Sequence, residues 1–285
     1  MAQMQQSHDM VCDFRKYLED KSHSPHTVRA YAADIRGLFN GQYSAPSGDP
    51  IPNLVGRLVA TKPTIKDSTY RRKSSALYAF FGFLSDRGHV ASEPRILTAY
   101  ASRSRCLAIS DDDFNSLVKA IDGSHLASRD KAMFSLMRDT GLVGEDVLGI
   151  TYKDFILSEA RKEAVMTGDN RRALGLTNQT ADFLREYEDS WFEYFDVDLK
   201  TDEREPYFRN KFDEGLSPRS VARSFSKYLS RTNLPEMKLM SLRYAFAKHM
   251  IDQGFRPQEL AFKMGITIPQ ARHIWETLSK QKNDV

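Results

Sequence analysis

Apolar side chains recur at helical spacing through most of this chain, and this periodicity limits its fold more than any other feature. The segment MVCDFRKYLED, for example, places Val11, Phe14 and Leu18 on one helix face. Two later helical segments share a start signal, because Ser24 and Ser217 are each followed directly by proline. Serine caps a helix well, and proline suits the first helical position. We therefore expect a mainly α-helical protein.

The pattern changes to strand-like alternation in one place, the segment EAVMTGDNRRALGLT at 163–177. Its Gly-Asp-Asn centre predicts a β-hairpin. The Gly-, Pro- and Ser-rich segment 41–53 predicts a loop. The segment 91–110 has three arginines but no sustained period, which indicates a linker. We expect a helical first domain at 1–103 and a second domain at 107–285 with a small β-sheet or hairpin.

Composition and motifs exclude several classes of protein. With 41% hydrophobic and 28% charged residues, and no apolar run of the roughly 18 residues that span a bilayer, the chain reads as globular and not membrane-bound. The first ten residues lack a secretory pattern, so we expect a cytoplasmic protein. Cys12 and Cys106 lack metal-site spacing, and His23 and His26 lack acidic partners. No phosphate-binding glycine motif occurs, so we expect no metal, nucleotide or other cofactor.

The charge of the chain is divided unevenly. Residues 1–105 contain 15 Lys and Arg against 9 Asp and Glu, whereas the remainder contains 26 against 29. A basic region suggests an anionic partner such as nucleic acid. Residues 66–73 form the basic start of a helix whose later part is apolar, which indicates phosphate contact or, alternatively, a solvated basic turn.

The order of these segments resembles that of the tyrosine recombinase (phage integrase) family over nearly the whole chain. The N-terminal resemblance is carried by FRKYLEDKSHSPHTVRAYAADIRGLF and YRRKSSALYAFFGFL. The C-terminal resemblance is carried by RDKAMFSLMRDTGLVGEDVLGITYKDF, TGDNRRALGL, LRYAFAKHMIDQG and LAFKMGITIPQARHIW. The resemblance implies a two-domain clamp around duplex DNA, with a helical SAM-like core-binding domain at 1–103 and a catalytic-like domain at 107–285.

Active members of this family use a tyrosine to attack the phosphodiester, forming a 3′-phosphotyrosyl link without a metal or nucleotide. Two arginines and further His and Lys groups stabilise the transition state and protonate the leaving oxygen. This requirement is general, since fixed positive charge must lie where negative charge develops.

The resemblance assigns six positions of this chain to the active site. They are occupied by Val143, Thr167, Met240, Arg243, Ile266 and Trp275. Of these, Arg243 alone has the side chain that the family pattern requires. An indole has no ionisable oxygen, and Tyr244 is the last tyrosine of the chain. On side-chain identity we therefore expect that the chain is not an enzyme of this kind.

The resemblance also implies a set of residues that bind DNA. Phosphate contacts supply affinity and groove contacts supply sequence preference. The candidates are Arg29, Lys66, Tyr70, Arg71, Arg72, Lys73, Arg171, Arg172, Arg219, Arg223 and Arg243.

Four functions are consistent with these features. The first is a non-catalytic, sequence-specific binder of double-stranded DNA, such as a transcriptional repressor of a phage or mobile element. The second is an accessory subunit that pairs with an active recombinase. Expected partners besides double-stranded DNA are thus a second copy of the chain or an active recombinase. The third is an active site-specific recombinase with a rearranged site. The fourth is a regulator whose sole DNA reader is a helix-turn-helix at Pro257–Leu278.

Overall fold

The chain divides into two compact units, Met1–Ser104 and Arg105–Val285, in a computed structural model. The residues that the structure describes are 2–39, 51–90, 107–122, 126–142, 144–157, 162–166, 172–196 and 206–280. The described part is mainly helical, with one small sheet in the second unit, which confirms the predicted fold class.

Among its described residues the first unit contains four α-helices, and their apolar faces meet in one core. They are α1 (Ala2–Asp20), α2 (Pro25–Phe39), α3 (Ile51–Thr61) and α4 (Asp67–Asp86). Phe14 of α1 meets Phe80 of α4 edge to face, with ring centroids 5.1 Å apart. Ser24 caps α2 as predicted, since its Oγ accepts a hydrogen bond from the backbone N–H of Thr27 at 3.2 Å.

Helix α3 corrects part of the loop prediction for 41–53. Residues 51–53 belong to this helix, and residues 41–50 lie outside the described part of the chain. Leu54 and Leu58, one helical turn apart, are buried in the first core. Proline at the second position is compatible with a helix, because the first turn needs no intrahelical N–H donor there.

The second unit has eight helices among its described residues. They are α5 (Asp111–Lys119), α6 (Ala127–Thr140), α7 (Glu145–Leu148), α8 (Asn178–Phe195), α9 (Pro218–Leu229), α10 (Met240–Asp252), α11 (Pro257–Met264) and α12 (Ile268–Lys280). The Ser217 side chain caps α9 as the sequence predicts, and the Ser110 side chain caps α5. Helices α6, α8, α10 and α12 pack around one apolar core.

The small sheet has three antiparallel strands in the order β1-β2-β3. These strands are β1 (Phe155–Leu157), β2 (Lys162–Met166) and β3 (Arg172–Gly175). Ala164 pairs with Phe155 on one side and with Leu174 on the other. The predicted hairpin corresponds to β2 and β3, although its central residues 167–171 lie outside the described part. The sequence did not indicate β1, because three residues are too few to show alternation.

The end of α6 is fixed by a glycine that no other residue can easily replace. Gly141 has a left-handed backbone, with φ of 68°. A Cβ atom at this position would lie 2.6 Å from Cδ1 of Phe246 on α10. Gly141 therefore ends α6 and also allows the backbone to approach α10 closely.

Among the helices that the structure describes, none combines the length and the apolar character that crossing a bilayer requires.

Candidate nucleic-acid interface

The first unit places most of its predicted DNA-binding residues on α2 and at the start of α4. Arg29 is exposed in the first turns of α2, and Lys66 is exposed immediately before α4. Arg71 and Lys73 are half-buried on α4. Tyr70 differs, because its side chain is only 6% exposed and packs in the first core. The basic residues thus have access to a phosphate, whereas the Tyr70 ring serves the packing of the unit.

Arg72 joins these two helices through an ion pair. Its Nη1 donates to Oδ2 of Asp34 on α2 at 2.6 Å and to the carbonyl oxygen of Ala30 at 3.4 Å. The Asp34 side chain is 7% exposed, whereas that of Arg72 is 43% exposed. Burial raises the pKa of Asp34 above its ordinary value, while the charges of Arg72 and Lys73 act in the opposite direction. The sequence did not indicate Asp34, since it lies far from Arg72 along the chain.

In the second unit, α9 presents a row of positive charge. Arg219 and Arg223 are exposed one helical turn apart, while Val221 and Phe225 are buried on the opposite face. Lys227 is exposed one turn further along, with its Nζ 5.1 Å from the ring centroid of Tyr228. Lys227 is not among the DNA-binding residues predicted from the sequence, although its spacing from Arg223 continues the same helical row.

A buried polar network holds the inner face of α9 in place. Arg129 donates from Nε and Nη2 to Oδ1 of Asp130, at 2.9 and 2.6 Å, and from Nη1 to the carbonyl oxygen of Arg209 at 2.9 Å. Ser224 of α9 donates to the other carboxylate oxygen of Asp130 at 2.7 Å. Burial raises the pKa of Tyr228 to about 12, and Asp130 adds to this effect. The network therefore fixes the side of α9 that lies opposite Arg219 and Arg223.

Arg243, the retained member of the predicted active site, lies on α10 and is buried. Its Nη2 donates to the carbonyl oxygen of Met264, the last residue of α11, at 3.2 Å. The negative end of the α11 dipole favours a cation there. Met240, one turn earlier, is 38% exposed. Arg243 thus connects α10 to α11, and its predicted phosphate contact remains a prediction.

Helices α11 and α12 form the predicted helix-turn-helix, with Gly265 in the left-handed conformation between them. The pair is part of the second core, because Leu260, Ala271 and Ile274 are buried in it. Ile266 is partly buried against the same core. The Trp275 ring is also partly buried there, and its Nε1 donates to the carbonyl oxygen of Phe255 at 3.1 Å. This segment is therefore an integral part of the second unit.

Some predicted site residues cannot be placed. Val143, Thr167 and Arg171 lie outside the described residues, as does the side chain of Arg172, whose backbone belongs to β3. Among the described residues of the first unit, Arg72 of α4 contacts α2, the helix that carries Arg29. In the second unit the structure brings together Arg219 and Arg223, with Arg243 at a separate position on α10.

This chain is similar to known proteins over most of its length. Residues 108–266 match the model of the Phage integrase family. A tyrosine recombinase XerC from Thermodesulfovibrio yellowstonii is 25% identical over 253 residues, covering 86% of this chain and 83% of that protein. The XerC of Halalkalibacterium halodurans is 27% identical over 264 residues, covering 87% of this chain and 86% of that protein.

Solved structures share the fold at low sequence identity. A Tn1549 transposon integrase in complex with a circular intermediate DNA superposes with a TM-score of 0.70 at 12% identity, covering 97% of this chain and 99% of that one. A lambda integrase tetramer bound to a Holliday junction gives a TM-score of 0.70 at 16% identity, covering 98% of this chain and 79% of that one.

These matches correct one expectation. The expectation that the chain is not an enzyme is wrong, because the relatives that it matches over most of its length are named tyrosine recombinases, which are enzymes. That expectation was drawn from side-chain identity at six positions. Two of these, Val143 and Thr167, lie outside the residues whose geometry is described.

Proposed function

From the premise that this chain belongs to the phage integrase family, we propose that it binds specific sites on double-stranded DNA. One observation carries the proposal. Each unit has a helix that begins with a Ser-Pro pair, in which the serine caps the helix, and that helix carries exposed basic residues. These are Arg29 on α2 and the row Arg219, Arg223 and Lys227 on α9. Guanidinium groups on rigid helices suit phosphate oxygens in geometry as well as charge.

The solved structures that share this fold support the proposal because they contain DNA. The Tn1549 integrase is bound to a circular intermediate DNA, and lambda integrase is bound to a core site as a dimer and to a Holliday junction as a tetramer. We extend duplex DNA binding to this chain, and with it self-association on the DNA. The remaining predicted contacts, among them Lys66, Arg71, Lys73 and Arg243, belong to the same proposal.

For the role of this binding, we propose regulation of transcription in the cytoplasm, at an operator of a phage or mobile element. The DNA-binding surfaces that support it are helix faces, so they recognise a site whether or not strand cleavage follows. The second candidate is an accessory role beside another recombinase, which the dimeric and tetrameric lambda integrase structures favour.

Selection of the full-length protein on a library of randomised duplexes tests the binding proposal, and footprinting then maps the selected site. We expect one enriched sequence. Changing both Arg219 and Arg223 to Ala should weaken binding at least tenfold and reduce the slope of log K against log salt by about 0.9 per lost phosphate contact. Arg185→Ala is the matched control, because it removes an exposed arginine of the same unit that pairs with Asp182 on α8.

Equal affinity for all duplexes would contradict sequence-specific binding. An unchanged affinity after both α9 substitutions would remove α9 from the interface. A selected site at a promoter, with repression of a linked reporter, supports the regulator, whereas a site beside an attachment sequence supports the accessory role. A nicked suicide substrate measures strand cleavage separately, because a covalent protein–DNA adduct would identify an active strand-transferase.

A further inference from the structure

The two members of the Asp34–Arg72 pair of the first unit differ in their exposure to solvent. Its acid is almost fully buried, at 7% exposure, while its arginine is 43% exposed. The carboxylate is therefore fixed inside the helix packing, and the guanidinium extends from it toward solvent. The cation of this pair is therefore accessible to a ligand, while its acid is not.

The hydrogen bonds of Arg72 use one nitrogen of the guanidinium group. Nη1 donates both to Asp34 and to the carbonyl oxygen of Ala30. Among the described residues, Nε and Nη2 have no hydrogen-bond partner. These two nitrogens form one edge of the planar group, and such an edge matches two oxygens of a phosphate in bidentate fashion.

The helices that this pair joins carry further basic residues. Arg29 precedes Ala30 on α2 and is exposed, and the charge of Lys73 acts on Asp34 from α4. Arg72 thus joins two helices that both carry basic residues.

We infer that Asp34 is a positioning residue for DNA binding, which holds Arg72 by Nη1 so that its Nε–Nη2 edge faces a backbone phosphate. The inference rests on the proposed DNA-binding function. A fixed guanidinium loses less side-chain entropy on binding than a free one, so positioning strengthens the contact. Lysine cannot replace arginine here, because a single ammonium lacks a second planar edge at a fixed angle to the first.

The positioning role and net charge alone predict opposite effects of Asp34→Asn on DNA affinity. Asp34→Asn raises the net charge of the chain by one, and charge alone would strengthen binding to DNA. Under the inference, Asp34→Asn weakens binding several-fold, because the Arg72 edge is no longer held. Arg72→Lys leaves the net charge unchanged and should weaken binding to a similar extent.

The experiment measures binding of the full-length protein to a fluorescently labelled duplex of random sequence over a series of salt concentrations. We expect Asp34→Asn and Arg72→Lys each to lower affinity about threefold to tenfold and to reduce the salt slope by up to about 0.9. The double variant should bind as each single variant does, because both changes disturb one contact. Asp34→Glu, which restores the carboxylate, should recover part of the loss.

Asp13→Asn is the matched control. Asp13 is an acid of the same unit that pairs with Arg87, and both side chains are substantially exposed. Its substitution adds the same charge and should leave binding unchanged or slightly stronger. Thermal unfolding followed by circular dichroism checks that each variant folds, and if Asp34→Asn does not fold, the charge-neutral Arg72→Lys variant decides.

The outcomes separate the inference from the proposed function. Weaker binding by Asp34→Asn but not by Asp13→Asn supports the inference. If the wild-type chain binds and Asp34→Asn binds as tightly as Asp13→Asn, the positioning role is overturned while DNA binding stands. If the wild-type chain binds no duplex at low salt, both are overturned.

Discussion

The two units each contain an arginine paired with an aspartate, but they differ in how much of each pair reaches water. In the first unit, the Arg72 side chain is 43% exposed against 7% for Asp34, whereas in the second unit Arg129 and Asp130 are 7% and 2% exposed. Arg129 is also bonded to the backbone of Arg209. One pair extends a cation to the surface, while the other fixes the helices beneath α9. An Arg–Asp ion pair thus leaves a cation exposed at the surface in the first unit, whereas in the second unit it stabilises buried packing.

The largest effect that we expect comes from breaking the buried pair. Arg129→Met leaves Asp130 buried without its cation, which costs about 3–5 kcal/mol for a buried pair. Both tryptophans, Trp191 and Trp275, belong to the second unit, so fluorescence during urea unfolding reports this unit. The control Arg185→Met disrupts an exposed pair and should change stability by less than about 1 kcal/mol. Equal losses of unfolding free energy in the two variants would show that burial does not determine how much each ion pair contributes to stability.

A smaller loss is expected from Arg72→Ala. This change leaves the buried carboxylate of Asp34 without its main hydrogen-bond donor, at a cost of about 1–3 kcal/mol, and Lys73 still supplies some compensating charge. The loss should be seen by circular dichroism and hydrogen exchange of α2 but not by tryptophan fluorescence. Arg29→Ala, a change at an exposed site on the same helix, serves as the control.

The pH dependence of the Arg72→Ala defect follows from the raised pKa of Asp34. The folded state then holds this proton more tightly than the unfolded state does. Stability is therefore lost as pH rises from the ordinary Asp value of about 3.9 toward the raised value. Acidification should shrink the defect, because a protonated Asp34 no longer needs a cation. A defect that grows on acidification would contradict this assignment.

The smallest effect is confined to alkaline pH and concerns the second unit. Because the pKa of Tyr228 is raised to about 12, the stability from its protonated hydroxyl is complete below the ordinary value of about 10 and is lost as pH rises from there toward 12. Tyr228→Phe should flatten part of that loss in thermal unfolding. Tyr194→Phe, at a 57% exposed position, should leave the alkaline profile unchanged.

Features set by local sequence could be predicted, and features set by distant contacts could not. Ser24 and Ser217 cap their helices as predicted, because a cap needs only residues three positions away. The partner of Arg72 could not be found in this way, since Asp34 lies on another helix. Tyr70 was predicted from a basic run, but its helical spacing from Leu77 places it on the buried face.

The candidate site shows the same division. The exposed row on α9 follows from helical periodicity, and Lys227 could have been included on that ground. The expectation of no enzyme activity was wrong because it considered the side chains at six positions only, whereas the similarity to named recombinases extends over most of the chain. The burial of Arg243 and its bond to Met264 depend on how α10 meets α11, which no local pattern encodes.

The approach of Gly141 to Phe246 has a consequence for how this gene can vary. A new side chain at 141 must adopt a positive φ and also displace an aromatic ring whose nearest atom would lie 2.6 Å away. Even alanine meets both obstacles, and trimming Phe246 removes just one of them. Glycine should therefore be retained at position 141 among homologues, whatever the DNA site that each of them binds. Its retention would reflect the packing of α6 against α10 and would not depend on which residues bind DNA.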